Sequence, residues 1–345
     1  MIPLWMMPIA VGCGNTFVLK PAEKAPLTGA MLAGLFAVAG LPNGVVNIVH
    51  GGREVSERLV SNPDVAAISF VGSSPVAESV FKAGTANGKR VQALGGAKNY
   101  LVVMPDADAM RSMPAIINSC FGSAGQRCLA GSVLIVVGSE SQQDAVVEAV
   151  IQSASELVMG DGMDKEAALG PVISADHKSR VVQAIHRAEN AGAHVRLDGR
   201  YAAVEEASCG HFVGPTVLDH VSPNAEILHE EVFGPVLTIL RASTLHEAIG
   251  IANRSRYGNS ASIFTNSGAA AREFRSSIQV GMVGINLGVP APMAMFSFGG
   301  WKGSFFGDLN AYGPDAVRFY TRKKVVTERW FDAESKPTSP KQGWA

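Results

Sequence analysis

Through its first 95 residues the chain alternates short, continuously apolar runs with helical stretches, and that alternation restricts it to a parallel sheet covered by helices. Strands are predicted at residues 16–19, 45–49, 66–71 and 90–94, with helices at 27–39, 53–60 and 75–86. Gly40 and Pro42 close the first helix, Asn62-Pro63 ends the second, and Pro75 sits in the first turn of the third, as proline prefers. Strands apolar along their whole length are buried on both faces. Ligands of such sheets bind beyond the carboxyl ends of the strands. Three of those ends suit a nucleotide: Lys20-Pro21-Ala22-Glu23-Lys24, His50-Gly51-Gly52 and Gly72-Ser73-Ser74-Pro75. The last precedes a helix whose free N–H groups can hold a phosphate. Each taken singly reads more readily as a turn, a cap or a solvated charge; together, on successive strands of one sheet, they favour a nucleotide site. No GxGxxG fingerprint follows any of these strands.

From residue 96 a second α/β pattern begins. Strands are expected at 101–103, 133–137, around 212–218, at 236–240 and at 282–286, and helices at 110–120, 142–158, 176–191, 245–254 and 269–277. Residues 317–330 are rich in strand formers and read as a late strand of the kind that pairs with another subunit. Residues 334–345, with two prolines and little apolar content, read as a disordered tail. A chain of 345 residues with 47% hydrophobic and 17% charged residues has material for two domains and a large core. A net charge of −1 gives no reason to expect nucleic acid or a membrane surface as partner. The uncharged stretch 25–52 has an unbroken apolar part of only residues 27–41, short for a bilayer and right for a buried helix. The apolar start at residues 1–8 lacks a basic segment and is broken by prolines, unlike a signal peptide.

The cysteines are Cys13, Cys120, Cys128 and Cys209, without a CxxC or paired Cys/His spacing. A structural zinc site or a disulfide scaffold is therefore not expected, and no metal is assigned. Reduced thiols in a cytosol-like compartment fit best. Cys128 stands apart: it lies in Phe121-Gly122-Ser123-Ala124-Gly125-Gln126-Arg127-Cys128-Leu129-Ala130-Gly131-Ser132, small residues that let a backbone approach a ligand closely. A thiol there is either a buried structural residue or a nucleophile activated by a neighbouring charge or helix end.

Four segments in order decide between these. Gly14 to Glu23, Phe70-Val71-Gly72-Ser73, Gly125-Gln126-Arg127-Cys128 and Glu231-Val232-Phe233-Gly234-Pro235-Val236 resemble the aldehyde dehydrogenase superfamily along nearly the whole chain, to Phe331. Leu4-Trp5-Met6-Met7-Pro8, residues 91–99, Pro290-Ala291-Pro292-Met293 and Ser304-Phe305-Phe306-Gly307-Asp308 narrow the resemblance to its CoA-acylating methylmalonate-semialdehyde (malonate-semialdehyde) branch. The fold this implies is α/β: an incomplete Rossmann-type NAD domain at 1–95, an α/β catalytic domain at 96–310, a C-terminal oligomerisation strand within 311–331, and a tail at 332–345.

The resemblance also implies roles. Cys128 matches the nucleophile, forming a thiohemiacetal with the aldehyde and, after hydride transfer to NAD, a thioester. Lys20 and Glu23 match residues on the adenine ribose, with Lys24 in the same region. Ser73 matches the pyrophosphate contact, Gly95 the strand end at the nicotinamide, and Glu231 the carboxylate on the nicotinamide ribose, with Phe233 packing beside it. Arg127 is either a partner for the substrate carboxylate, since guanidinium binds carboxylate bidentately, or a structural residue. The implied partners are a small semialdehyde and coenzyme A as co-substrate, in a cytoplasmic homo-oligomer, dimer or tetramer (mitochondrial matrix in a eukaryote).

Three departures qualify this. Ala93 stands where acid-forming members carry the glutamate that activates water, which removes a general base and favours a thiol, CoA, as acyl acceptor. Ala77 replaces the glycine that usually closes the Gly-Ser-x-x-x-Gly turn. Members also carry Asn-Phe-Pro shortly before the position of Met1, whose asparagine serves the oxyanion; losing such a donor costs about 100- to 1,000-fold in rate. The chain is therefore expected to be an N-terminally truncated member. An acid-forming semialdehyde dehydrogenase and a non-catalytic remnant that keeps the fold remain open at this stage.

Overall fold

The structure is a computed structural model and describes residues 1–207 and 209–330; the tail expected at 332–345 lies outside the described residues. The first half runs α1 (Pro3–Gly12), β1 (Phe17–Leu19), α2 (Leu27–Val38), β2 (Val46–Ile48), α3 (Arg53–Ser61), β3 (Ala67–Val71), α4 (Ser74–Ala86) and β4 (Arg90–Leu94). The expected alternation is present, and every pair formed among these strands is parallel. The strands do not form one sheet, however. β1 pairs only with β2, whereas β3 and β4 form a separate sheet. Side chains tie the two together. Phe17 of β1 and Val71 of β3 both pack on a cluster made by Trp5, Met6, Leu94, Leu129, Met282, Phe298 and Ala311. Trp5 and Met6 come from α1, a helix the prolines had hidden: Pro3 occupies its first turn and Pro8 lies inside it.

One expectation about burial fails. α2 is a helix, but Leu27, Met31, Leu35 and Val38 form an exposed apolar stripe along it. Only Gly29 is buried, because the absence of a side chain there lets the helix rest on Pro21 and Leu19.

The second half continues with β5 (Asn99–Val103), α5 (Ala109–Phe121), β6 (Gly131–Val137), α6 (Glu140–Ser155), α7 (Ala175–Asn190), β7 (His194–Leu197), β8 (Thr216–Asp219), β9 (Val236–Ala242), α8 (Leu245–Asn253), β10 (Tyr257–Gly258), β11 (Ser260–Phe264), α9 (Gly268–Ser277) and β12 (Met282–Ile285). It closes with β13 (Trp301–Lys302), β14 (Phe305–Phe306) and α10 (Gly313–Tyr320). Seven strands form one sheet in the order β12-β11-β5-β6-β9-β8-β7. All its pairs are parallel except β7 with β8. One face packs on α7, α8 and α9 and the other on α5 and α6, so central strands such as β6 are apolar on both sides. Asp108, Ser174, Thr244 and Ser267 cap four of the helices by accepting the N–H three residues on. β14 leaves this half and adds antiparallel to β4.

The strand expected at 317–330 is corrected over its first four residues. Residues up to Tyr320 complete α10, whose buried Ala316 and Phe319 lie three apart, so helical spacing outweighs the strand preference of the individual residues. Residues 321–330 form no ladder with the other described residues.

Near the amino end of β7 and the carboxyl ends of β8 and β9 a buried carboxylate joins the strands. Asp219 accepts from Arg241 Nη2 at 2.7 Å and from the His220 N–H at 2.8 Å, and lies 3.6 Å from Arg196. Burial alone would raise its pKa. The Arg241 hydrogen bonds, the His220 N–H and the guanidinium charge together outweigh this and hold it below the usual carboxylate range. A depressed folded pKa means that this stabilisation is complete above the unfolded value of about 3.9 and is lost as pH falls through the folded one. Asp219→Asn is expected to lower stability by about 3 kcal/mol near neutral pH in denaturant titration, with the difference from wild type shrinking in acid. Equal stability at pH 7 would show that the cluster contributes nothing net.

Candidate active site

The thiol loop is set by backbone geometry. α5 ends at Phe121, and Ser123, Ala124 and Gly125 follow with φ of 55°, 52° and 66°. Three successive left-handed residues, two of them not glycine, are a strained path that the surroundings must enforce. A side chain at Gly125 would strike the Gly234 carbonyl, 2.1 Å from where its Cβ would lie. The chain then reaches Cys128 and enters β6. The Cys128 carbonyl accepts from Asn99 Nδ2 at 2.8 Å and from Asn259 Nδ2 at 2.7 Å. Asn99 also donates to the Ala130 carbonyl at 2.8 Å and accepts from the Ser260 N–H at 3.1 Å. Cys128 is thereby fixed at the amino ends of β5, β6 and β11.

Against that frame stands one acid. Glu231 Oε1 accepts from the Ala97 N–H at 2.8 Å, and a Cβ on Gly96 would fall 2.3 Å from Oε2. Gly96 is thus what lets a carboxylate lie on the backbone between β4 and β5. Burial pushes the Cys128 thiol up to about 11, and the Glu231 charge adds to this; the N–H groups of Cys128 and Leu129 and the Arg127 guanidinium pull the other way. Burial likewise raises Glu231, opposed by the Ala97 N–H and by Lys98. Lys98 is itself buried, and desolvation brings its ammonium down to about 8 against the pull of Glu230 and Glu231. Tyr312 is raised by burial and by the nearby Cys128.

The other expected residues fall into two groups. Ser73 is exposed at the start of α4. Its neighbour Ser74 ties that start to the β4 end, donating to the Gly303 carbonyl at 2.7 Å and accepting from the Gly96 N–H at 2.9 Å. At the carboxyl ends of β1 and β2, Lys20 donates to the Gly51 carbonyl at 2.9 Å. Glu23 lies over Gly52, its Oε2 being 3.3 Å from where a Cβ would be, and Lys24 beside it is exposed. Phe233 is partly exposed and left-handed, with φ of 55°. Arg127 donates to the Asn118 carbonyl at the end of α5, and its buried Nε has no partner within the described residues.

Sequence reasoning missed Asn99, Asn259, Lys98 and Tyr312. Asparagine directly before the apolar run 100–103 was the available signal for Asn99, since such an amide can satisfy the backbone groups that a strand start leaves open.

A cysteine nucleophile candidate at strand starts, an acid lying on a Gly-Gly turn and a serine-marked helix start make one recurring arrangement. The aldehyde dehydrogenase family model matches residues 1–326. The chain belongs to that family. Malonate-semialdehyde dehydrogenase 1 of Oceanobacillus iheyensis is 51% identical over 331 residues, covering 96% of this chain and 68% of that protein. The crystal structure of methylmalonate-semialdehyde dehydrogenase from Oceanimonas doudoroffii superposes with a TM-score of 0.94 at 49% identity, covering 96% of this chain and 68% of the other. A Sinorhizobium meliloti protein, provisionally named methylmalonate-semialdehyde dehydrogenase and crystallised with NAD, gives 0.94 at 42% identity, covering 97% and 68%. Within the described residues of this family member, no helix is long and apolar enough to cross a membrane and no group of three or more His, Cys, Asp or Glu could hold a metal ion.

Because only the thiolate reacts, alkylation of Cys128 by iodoacetamide should rise about tenfold per pH unit from pH 7 towards 10. Glu231→Gln removes a repelling charge and is expected to move the profile to lower pH. Peptide mapping by mass spectrometry assigns the signal to Cys128; an unmoved profile would remove Glu231 from the thiol's surroundings.

Proposed function

We propose that the chain catalyses the NAD-dependent, CoA-acylating oxidation of malonate or methylmalonate semialdehyde through a Cys128 thioester, with loss of CO2 and release of acetyl-CoA or propionyl-CoA. The observation that carries this reading is the composition of the site: a nucleophile candidate and Glu231 together, and at position 93 a methyl group. Ala93 is fully buried and packs in the cluster of Ala77, Val80 and Val91, against Phe70, Phe81 and Phe306. The glutamate that serves water in acid-forming members, by the resemblance above, has no counterpart there.

In this reading the Cys128 thiolate attacks the aldehyde carbon, and the N–H groups of Cys128 and Leu129 that already lower the thiol's pKa lie where negative charge develops. Oxidation leaves an acyl group on sulfur. The CoA thiolate then attacks the thioester and Cys128 leaves as thiolate, so no base for water is needed. The substrate carboxylate lies β to the carbonyl. When CO2 leaves, its electron pair passes into that carbonyl and the α-carbon takes up a proton. Arg127 gives an Nη2 N–H to the Asn118 carbonyl, and its remaining guanidinium N–H groups would hold the carboxylate.

The residues present fit a dinucleotide. Ser73 stands at a helix start that attracts phosphate, Lys20, Glu23 and Lys24 stand at two strand ends, and Glu231 is near enough to the thiol to raise its pKa; the resemblance adds Gly95 and Phe233. NAD, when bound, accepts the two electrons released at the aldehyde carbon. An assembled state, dimer or tetramer, and a soluble compartment such as the cytoplasm complete the reading; the apolar stripe on α2 is a surface that assembly would cover.

The purified chain, given malonate semialdehyde and NAD, is expected to sustain NADH formation only with CoA and to yield acetyl-CoA by mass spectrometry. Cys128→Ser should lower kcat at least about 1,000-fold. Turnover indifferent to CoA, with free acid as product, would transfer the chain to the acid-forming class. Absence of both turnover and a Cys128 thioester would make it a non-catalytic member.

A further inference from the structure

Two loops reach the site from distant parts of the chain, and one helix start holds both. On the thiol side, Gln126 accepts from the Ile173 N–H at 3.0 Å and donates to the Pro171 carbonyl at 3.4 Å. These residues lead directly into α7, whose cap Ser174 accepts from the His177 N–H at 3.2 Å. On the other side, His177 Nε2 lies 2.7 Å from the Phe233 carbonyl, with the two rings edge to face at 6.4 Å. One turn along α7, Val181 presses on Gly234, where an added Cβ would come 2.8 Å from its Cγ2. Gly125 and the Gly234 carbonyl then meet and close the circuit.

We infer that His177, with Gln126 as its counterpart, is a positioning residue that locks the Cys128 loop and the Glu231–Phe233 loop into one rigid bracket. The strongest sign is the coincidence of strain and support. The left-handed residues of the two loops, Ser123 and Ala124 on one and Phe233 on the other, are those flanked by the bracket's contacts, and non-glycine residues stay in that region only where surroundings over-determine them. The proton on His177 is also fixed. Arg180 Nη2 lies 3.3 Å from Nδ1; an arginine only donates, so Nδ1 accepts and Nε2 carries the hydrogen given to the Phe233 carbonyl. The buried ring thus acts as a directed donor. Half of the inference, the effect at Phe233, rests on the NAD reading above; the effect on the thiol does not.

The test uses the full chain and two readouts: NAD affinity by calorimetry and the rate of Cys128 alkylation at fixed pH. His177→Leu is expected to weaken NAD binding about 3- to 10-fold, the value of one buried hydrogen bond, and to speed alkylation at least about threefold by loosening a thiol that burial suppresses. His177→Gln, which keeps a donor, is expected to restore both to within about twofold of wild type. Wild-type values for His177→Leu in both readouts would overturn the inference. Should His177→Leu not fold, Gln126→Ala, at a half-buried position, removes the contacts to Pro171 and Ile173; faster alkylation supports the bracket, and a wild-type rate overturns it. A wild-type chain that fails to bind NAD refutes the proposed function instead, and the alkylation rates alone then decide the bracket.

Discussion

The buried side chain of Asn99 is the contact on which the site depends. Its amide donates to the carbonyls of Cys128 and Ala130 and its oxygen accepts from the Ser260 N–H, so one residue at the start of β5 satisfies backbone groups of both neighbouring strands. Buried polar groups left without partners cost heavily; without it the Ala130 carbonyl and the Ser260 N–H would be orphaned together, and the Cys128 carbonyl would keep only Asn259. The same residue follows Gly95-Gly96-Ala97-Lys98, the short link from β4. The first half, presenting the carboxyl ends of its strands, is thereby joined across four residues, Gly95 to Lys98, to a second half presenting its amino ends. The nucleophile candidate lies at that seam.

Electrostatics at the seam are arranged against the thiol at rest. Burial and Glu231 both favour the protonated form of Cys128, while the N–H groups of Cys128 and Leu129 and the more distant Arg127 only partly oppose them. Glu231 is in turn poised between its own desolvation and Lys98, whose ammonium is desolvated too. None of these groups is ionised cheaply by itself. Their charges are coupled, so a cationic ligand placed between Glu231 and Cys128 would cancel the repulsion and favour the thiolate. The site therefore suits a nucleophile that is released by ligand binding rather than one permanently exposed as thiolate.

Much of this was legible in the chain. Apolar runs of strand length marked β1 to β6, β9 and β12, and capping residues and glycines marked most helices, because those signals are local. The Gly-Gln-Arg-Cys and Glu-Val-Phe-Gly-Pro segments named the thiol and its acid. What stayed hidden was set by distant partners. β11, Ser-Ala-Ser-Ile-Phe, has no apolar run and is a strand because β5 and β12 flank it. β14 is two residues long and exists only as an addition to β4. α10 was misread because three strand-forming residues also place Phe319 three positions after Ala316, and packing chose the helical reading. Separate sheets for β1 and β3 could not be inferred from alternation, which predicts parallel strands but not which of them hydrogen-bond. Asn99 and His177 carry no motif; their roles come from a carbonyl in another part of the chain.

Position 93 shows how composition and packing agree. Replacing a glutamate by alanine in a loop would merely delete a base. Here Ala93 lies in the middle of β4, directly opposite Phe70 of β3 and Phe306 of β14 in register, and packs with Val80 and Ala77 of α4. An acid at that point would be enclosed by apolar and aromatic side chains with no cation in the cluster to pair with, and an unpaired buried carboxylate either protonates or destabilises the fold. Alanine at the position equivalent to the α4 glycine fits the same logic, since Ala77 is fully buried in that cluster. The sheet around β4 is thus packed so as not to receive a carboxylate at position 93, and the alanine there is matched by its neighbours on β3, β14 and α4.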